Sequence, residues 1–184
     1  PGLPSPETLT LSDLRSGHVI ADFDQDGLDD LLFQKGPHDE VRMRHSTASV
    51  PLGGERVLHG LTYGLPGGQH SVPDLQQARV GDVNADGYPD VIAPTPVEGT
   101  TDYILYLWNH TLADFVSDSV VEPYLEDGHP TPLFLVDMDG DGLPDLVKGY
   151  DPTLPDDPNE QPWTWYTWRV RLNDRNGGFG PAFG

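Results

Sequence analysis

The chain reads as an all-β protein built from three similar units, and three observations carry that reading. A nine-residue acidic window occurs three times, at residues 22–30, 82–90 and 137–145. Short apolar segments flank each copy, and they lack the period of a helix. Proline and glycine, 19 and 21 of the 184 residues, punctuate the stretches between, as turns joining many short strands require. The windows start 60 and then 55 residues apart. A period of that length holding about four strands predicts four-stranded β-propeller blades.

Taken in order, residues 1–12 open with three prolines, after which Glu7 to Leu11 alternates as a half-buried strand. Gly17 to Ala21 enters the first window and Asp29 to Gln34 leaves it, and strands follow at Val41 to His45 and Arg56 to Tyr63. In the second unit a strand through Val80 enters the window and Val91 to Pro94 leaves it. Tyr103 to Trp108 and Phe115 to Val121 complete that unit. The third enters at Leu133, leaves through Tyr150, and is interrupted by Asp151 to Pro162, too polar and proline-rich for a strand. Trp165 to Leu172 then resumes the pattern. The predicted blades span about 13–63, 73–122 and 130–184 of a single segment, 1–184. Residues 1–12 and 179–184 would be parts of one shared outer or closing strand.

The third window, Asp137-Met138-Asp139-Gly140-Asp141-Gly142-Leu143-Pro144-Asp145, places carboxylates at its first, third, fifth and ninth residues. Alternate acids converge on one hard cation if the backbone turns between them, and Gly142 can turn at φ > 0 without steric cost. Such an all-oxygen set suits calcium better than magnesium, which demands a tighter octahedron. An EF-hand is excluded, because its twelfth residue must be a bidentate Glu between helices. Here that position is Phe33, Ala93 or Lys148, and the flanks are strands.

Composition limits the function. Thirty acidic residues against ten basic ones give a net charge of −20, and eleven of the thirty stand at proposed metal positions. Three bound calcium ions would still leave an acidic surface. That disfavours nucleic acid, which needs cationic side chains, and anionic membranes. No apolar run is long enough to span a bilayer. Weak calcium loops fit calcium-rich extracellular space. With no cysteine and with Pro1 at the start, the chain is expected to be a piece of a longer secreted or cell-surface bacterial protein.

At these residues the chain resembles the FG-GAP/VCBS repeat of integrin-like propellers and bacterial secreted proteins. D-x-D-x-D-G-x-x-D lies between two strands, and Asn176-Gly177-Gly178-Phe179-Gly180 closes a unit. The resemblance implies calcium at three sites, about three ions per chain. The ligands would be Asp22, Asp24, Asp26 and Asp30; Asp82, Asn84, Asp86 and Asp90; and Asp137, Asp139, Asp141 and Asp145, with the carbonyls of Leu28, Tyr88 and Leu143. Neutral Asn84 should weaken the second site. Three units are fewer than the family's closed propellers contain, so the segment is expected to be an arc of a larger ring or one completed by identical chains. In bacterial relatives such repeats are similar to those of toxin-complex and YD-repeat proteins.

Catalysis is not expected. The carboxylates are triplicated and bracketed by turn glycines, which acid–base chemistry does not require. No nucleophile elbow, phosphate loop or C-x-x-C occurs. Seven histidines show no metal-binding spacing, so scattered exposed histidine is the better account of them. The sequon Asn109-His110-Thr111 reads as accidental in a bacterial chain. The expected function is a calcium-binding scaffold that meets a protein partner or neighbouring blades, as in cell adhesion or a toxin scaffold. The alternative is a lectin-like propeller assembled from several short chains, in which Trp163 and Trp165, beside the 151–162 insertion, contact a glycan rather than packing between blades, which is the plainer account of them.

Overall fold

A computed structural model describes residues 17–35, 40–50, 52–64, 70–97, 100–123, 125–126, 129–130, 132–150 and 167–182. The predicted strand at Glu7 to Leu11, the 151–162 insertion, Trp163 and Trp165 lie outside these residues. Among the described residues there are fifteen strands and no α-helix.

Three antiparallel sheets carry the architecture. The first contains β1 (His18–Ala21), β2 (Asp30–Lys35), β3 (Glu40–Arg44) and β4 (Glu55–Val57), ordered as in the chain. Two ribbon strands, β5 (Tyr63–Gly64) and β6 (His70–Ser71), lead to the second. This contains β7 (Arg79–Gly81), β8 (Asp90–Val97), β9 (Thr100–Asn109) and β10 (Asp114–Pro123). A second ribbon, β11 (Leu125–Glu126) with β12 (His129–Pro130), precedes the third sheet. That sheet is formed by β13 (Leu133–Val136), β14 (Asp145–Tyr150) and β15 (Thr167–Arg171).

Each acidic window closes the hairpin between the first two strands of its sheet. The pairs Ala21↔Asp30, Gly81↔Asp90 and Val136↔Asp145 are equivalent, so the three units fold in one register. Two details differ from the sequence reading. The predicted strand Arg56 to Tyr63 is divided, because the chain turns through Leu58 to Thr62 between β4 and β5. Among the described residues the third sheet has three strands, and beyond them Asn173 and Phe179 form an isolated bridge. Pro181, two residues on, has no N–H to extend that ladder.

The sheets pack face against face. Strand alternation sends neighbouring residues to opposite sides, and the second sheet uses both. Val91, Ala93, Ile104, Tyr106 and Trp108 join one core with Val19, Phe23, Leu32, Val41 and Met43 of the first unit. The interleaved Ile92, Tyr103 and Leu105 join another with Leu133 and Leu146 of the third. The first core is tightened by the Phe23, Trp108 and Phe115 rings, whose centroids lie 5.0–5.6 Å apart. Polar side chains also cross between units: Gln34 Nε2 donates to the Pro73 carbonyl at 2.7 Å, and Arg171 Nη1 to that of Val121 at 2.6 Å.

The backbones of the first two units approach each other closely at Gly60, whose N–H donates to Asp114 Oδ1 at 3.1 Å. A methyl added to Gly60 would stand 1.5 Å from the Phe115 carbonyl oxygen. Gly60→Ala is therefore expected to lower stability by about 1–3 kcal/mol and Tm by roughly 5 °C. Thermal denaturation followed by circular dichroism checks this, and an unchanged Tm would refute the close approach.

Candidate metal centre

The three windows fold alike because the same backbone dipoles meet the same carboxylates. The first Asp of each accepts the N–H of the glycine five residues on: Asp22 from Gly27 at 2.9 Å, Asp82 from Gly87 at 2.8 Å and Asp137 from Gly142 at 3.0 Å. The fifth accepts from the seventh, so Asp26, Asp86 and Asp141 each hold Leu28, Tyr88 or Leu143 at 2.9 Å. The third residue, Asp24, Asn84 or Asp139, accepts the N–H of the fifth at 3.0–3.2 Å. These bonds curl the chain tightly around the side chain of its first residue.

Two residues in each window adopt the left-handed conformation. The sixth is Gly27, Gly87 or Gly142, as the sequence indicates. The fourth is Gln25, Ala85 or Gly140, with φ between 60° and 79°. Sequence reasoning missed this second turn, because only Gly140 advertises it.

The ninth residue, Asp30, Asp90 or Asp145, is buried and holds two strands. One oxygen accepts the N–H of the window's second residue: Phe23 at 3.1 Å, Val83 at 2.8 Å or Met138 at 2.7 Å. The other accepts an N–H from the third-strand side of the sheet: Ser46 at 2.9 Å, Trp108 at 2.9 Å or Asn173 at 2.8 Å. Each carboxylate thus ties its loop to the strand lying across the sheet.

The donor set fits a hard cation. One oxygen each from Asp22, Asp24 and Asp26 lies within 4.8 Å of the others, and the same holds for Asp137, Asp139 and Asp145. Oxygens on opposite sides of a calcium ion stand about 4.6–5.2 Å apart. In the second window Asn84 Nδ2 donates to Asp86 Oδ2 at 3.0 Å, which replaces charge repulsion with a hydrogen bond. The loops share one edge, where Gln25 Nε2 donates to the Gly87 carbonyl.

Burial sets the electrostatics. Loss of hydration pushes the Asp90 carboxyl up to about 6, against the opposing N–H bonds from Trp108 and Val83. Asp30 is also raised by burial, with the Ser46 N–H and the His45 charge opposing. Asp141 moves the other way, held down by the Leu143 N–H and then by the Arg175 guanidinium, 2.8 Å away.

Of the other candidate residues, Leu28, Tyr88 and Leu143 occupy the seventh position in all three loops. Trp163 and Trp165 lie outside the described residues. Trp168, which is described, sits on β15 with its ring 5.9 Å from that of Phe134.

Two outcomes follow. Asp90→Asn replaces an accepting oxygen with a donor, so one N–H facing it must lose its partner. Urea denaturation in chelator should show a loss of about 1–3 kcal/mol, and full stability there would mean that the residue acts only through metal. Raised carboxyls bind protons more tightly in the folded chain, so their contribution grows as pH falls through about 6 toward 4. Chelated protein should therefore melt higher at about pH 5 than at pH 7, checked by calorimetry. A flat profile would contradict it.

Residues 82–147, from the start of the second window into β14, match the family model of the FG-GAP-like repeat. No curated protein and no solved structure matches the chain.

Proposed function

We propose that the protein is a non-catalytic, calcium-stabilised β-propeller segment serving as scaffold and interaction surface of an extracellular, bacterial protein. The observation that carries this is one loop geometry repeated on sheets that stack face to face, the middle sheet covered on both sides. The FG-GAP-like match over 82–147 supports it. Among the described residues no helix is long and apolar enough to cross a membrane.

In this reading, calcium sits among residues one, three, five and nine of each window, with the seventh carbonyl. Asp22, Asp24 and Asp26 already converge in the first loop and Asp137, Asp139 and Asp145 in the third, while backbone N–H groups stabilise their charge only in part. A cation removes the remaining repulsion and joins the loop to the folding equilibrium. In the third loop Arg175 must leave Asp141, a small cost because its side chain is 67% exposed.

The stacking also supports an interaction surface on the outer face of the third sheet. The second residue of the window is Phe23 in the first unit and Val83 in the second, both fully buried by the following sheet. Its counterpart in the third unit, Met138, is 54% exposed. Phe134, Val136 and Trp168 share that outer face and are 40–46% exposed. A further sheet of the same repeat is the occupant that this face fits.

Differential scanning calorimetry with and without calcium tests the reading. Calcium should raise Tm of the native chain, and Asp139→Ala should reduce that rise while changing little in chelator. Native mass spectrometry should find three calcium ions per chain. A calcium-independent Tm, with no bound ion, would refute the proposal.

A further inference from the structure

One histidine enters a metal loop. His45 follows β3 and immediately precedes Ser46, the residue whose N–H binds Asp30. Its Nδ1 stands 3.2 Å from Asp30 Oδ2 and 3.4 Å from Asp24 Oδ2. The three donor atoms all lie within 4.8 Å of one another. From this cluster we infer that the first loop, which takes calcium when calcium alone is supplied, prefers a borderline divalent transition cation of the zinc class, with His45, Asp24 and Asp30 as ligands.

The geometry suits such an ion. Zinc bonds of about 2.0–2.2 Å in a tetrahedron set neighbouring donors roughly 3.3–3.6 Å apart. The two separations from His45 Nδ1 are close to that. Asp24 binds the Asp26 N–H through Oδ1 and keeps Oδ2 for the ion, while Asp30 Oδ2 would share its lone pairs between the ion and the Phe23 N–H, Oδ1 being taken by Ser46. The fourth position is left to water or to Asp22, whose carboxylate gathers with that of Asp24 while accepting the Asp26 and Gly27 N–H groups. In the metal-free chain His45 Nδ1 and Asp30 share a hydrogen bond, and the metal would take the place of the shared proton.

The other two loops supply internal controls. The residues preceding Trp108 and Asn173, which hold Asp90 and Asp145 as Ser46 holds Asp30, are Leu107 and Leu172. Neither can ligate a metal. A nitrogen donor strengthens binding of borderline cations far more than of calcium, which prefers oxygen alone. The fold therefore offers one mixed site and two oxygen sites on the same edge.

Cobalt(II) is the probe, added to chelator-treated full chain and followed by visible absorption. The expected result is one tight cobalt per chain with the intense bands of a four-coordinate site, displaced by zinc. His45→Leu, which installs the residue of the other two units, should weaken cobalt by more than the roughly 10–100-fold that losing an outer-shell partner costs. Calcium binding by the second and third loops should persist in that variant, so failure here is distinguishable from failure of the calcium reading. Paramagnetic shifts of the His45 ring in the native chain provide a readout that does not depend on the variant folding. Equal cobalt affinity in both chains, or unshifted His45 signals, would overturn the assignment.

Discussion

The structure depends on a buried carboxylate that accepts backbone N–H groups from two directions. Asp30, Asp90 and Asp145 each join the start of an acidic loop to the far side of the sheet. Burying an ionised group is costly unless it is hydrogen-bonded. Here two or more N–H donors offset that cost while closing the hairpin and aligning the third-strand side. The loop carboxylates are consequently aimed by the sheet, so fold and candidate metal site are one construction.

That arrangement also explains why the sheets stack as they do. With the ninth residue fixed, the second residue of the loop turns toward the following sheet, where Phe23 and Val83 become core. Arg79, paired through Nε with the Leu133 carbonyl at 2.6 Å, and Asn173, paired through Nδ2 with that of Val83 at 2.8 Å, carry the same relation between the second and third units. Each sheet is a half-interface that the next one completes, and Met138 marks where the described series stops.

Charge is managed locally. Glu55 shows it away from the loops: burial would raise its carboxyl, but Lys35, Arg42 and Arg44 surround it and hold it low. Few cations remain for the acidic edge, where Arg175 meets Asp141 and His45 meets Asp24 and Asp30. The neutral amide of Asn84 does part of the same work in the second loop.

The sequence by itself determined the all-β class, the three-fold repetition and the metal-type window, because these follow from local periodicity and residue spacing. Alternation in Val41 to Arg44 and in Tyr103 to Trp108 needs no tertiary information to read as strand. Tertiary structure decided what spacing cannot encode. The left-handed turn at Gln25 and Ala85 is imposed by the loop's hydrogen bonds, against the preference of those residues. The second task of the ninth aspartate depends on Ser46, Trp108 and Asn173, which lie 16, 18 and 28 residues further on. His45 looked like one scattered histidine among seven. Its place beside two carboxylates exists only because β3 pairs with β2 in a register that brings residue 45 back over the loop.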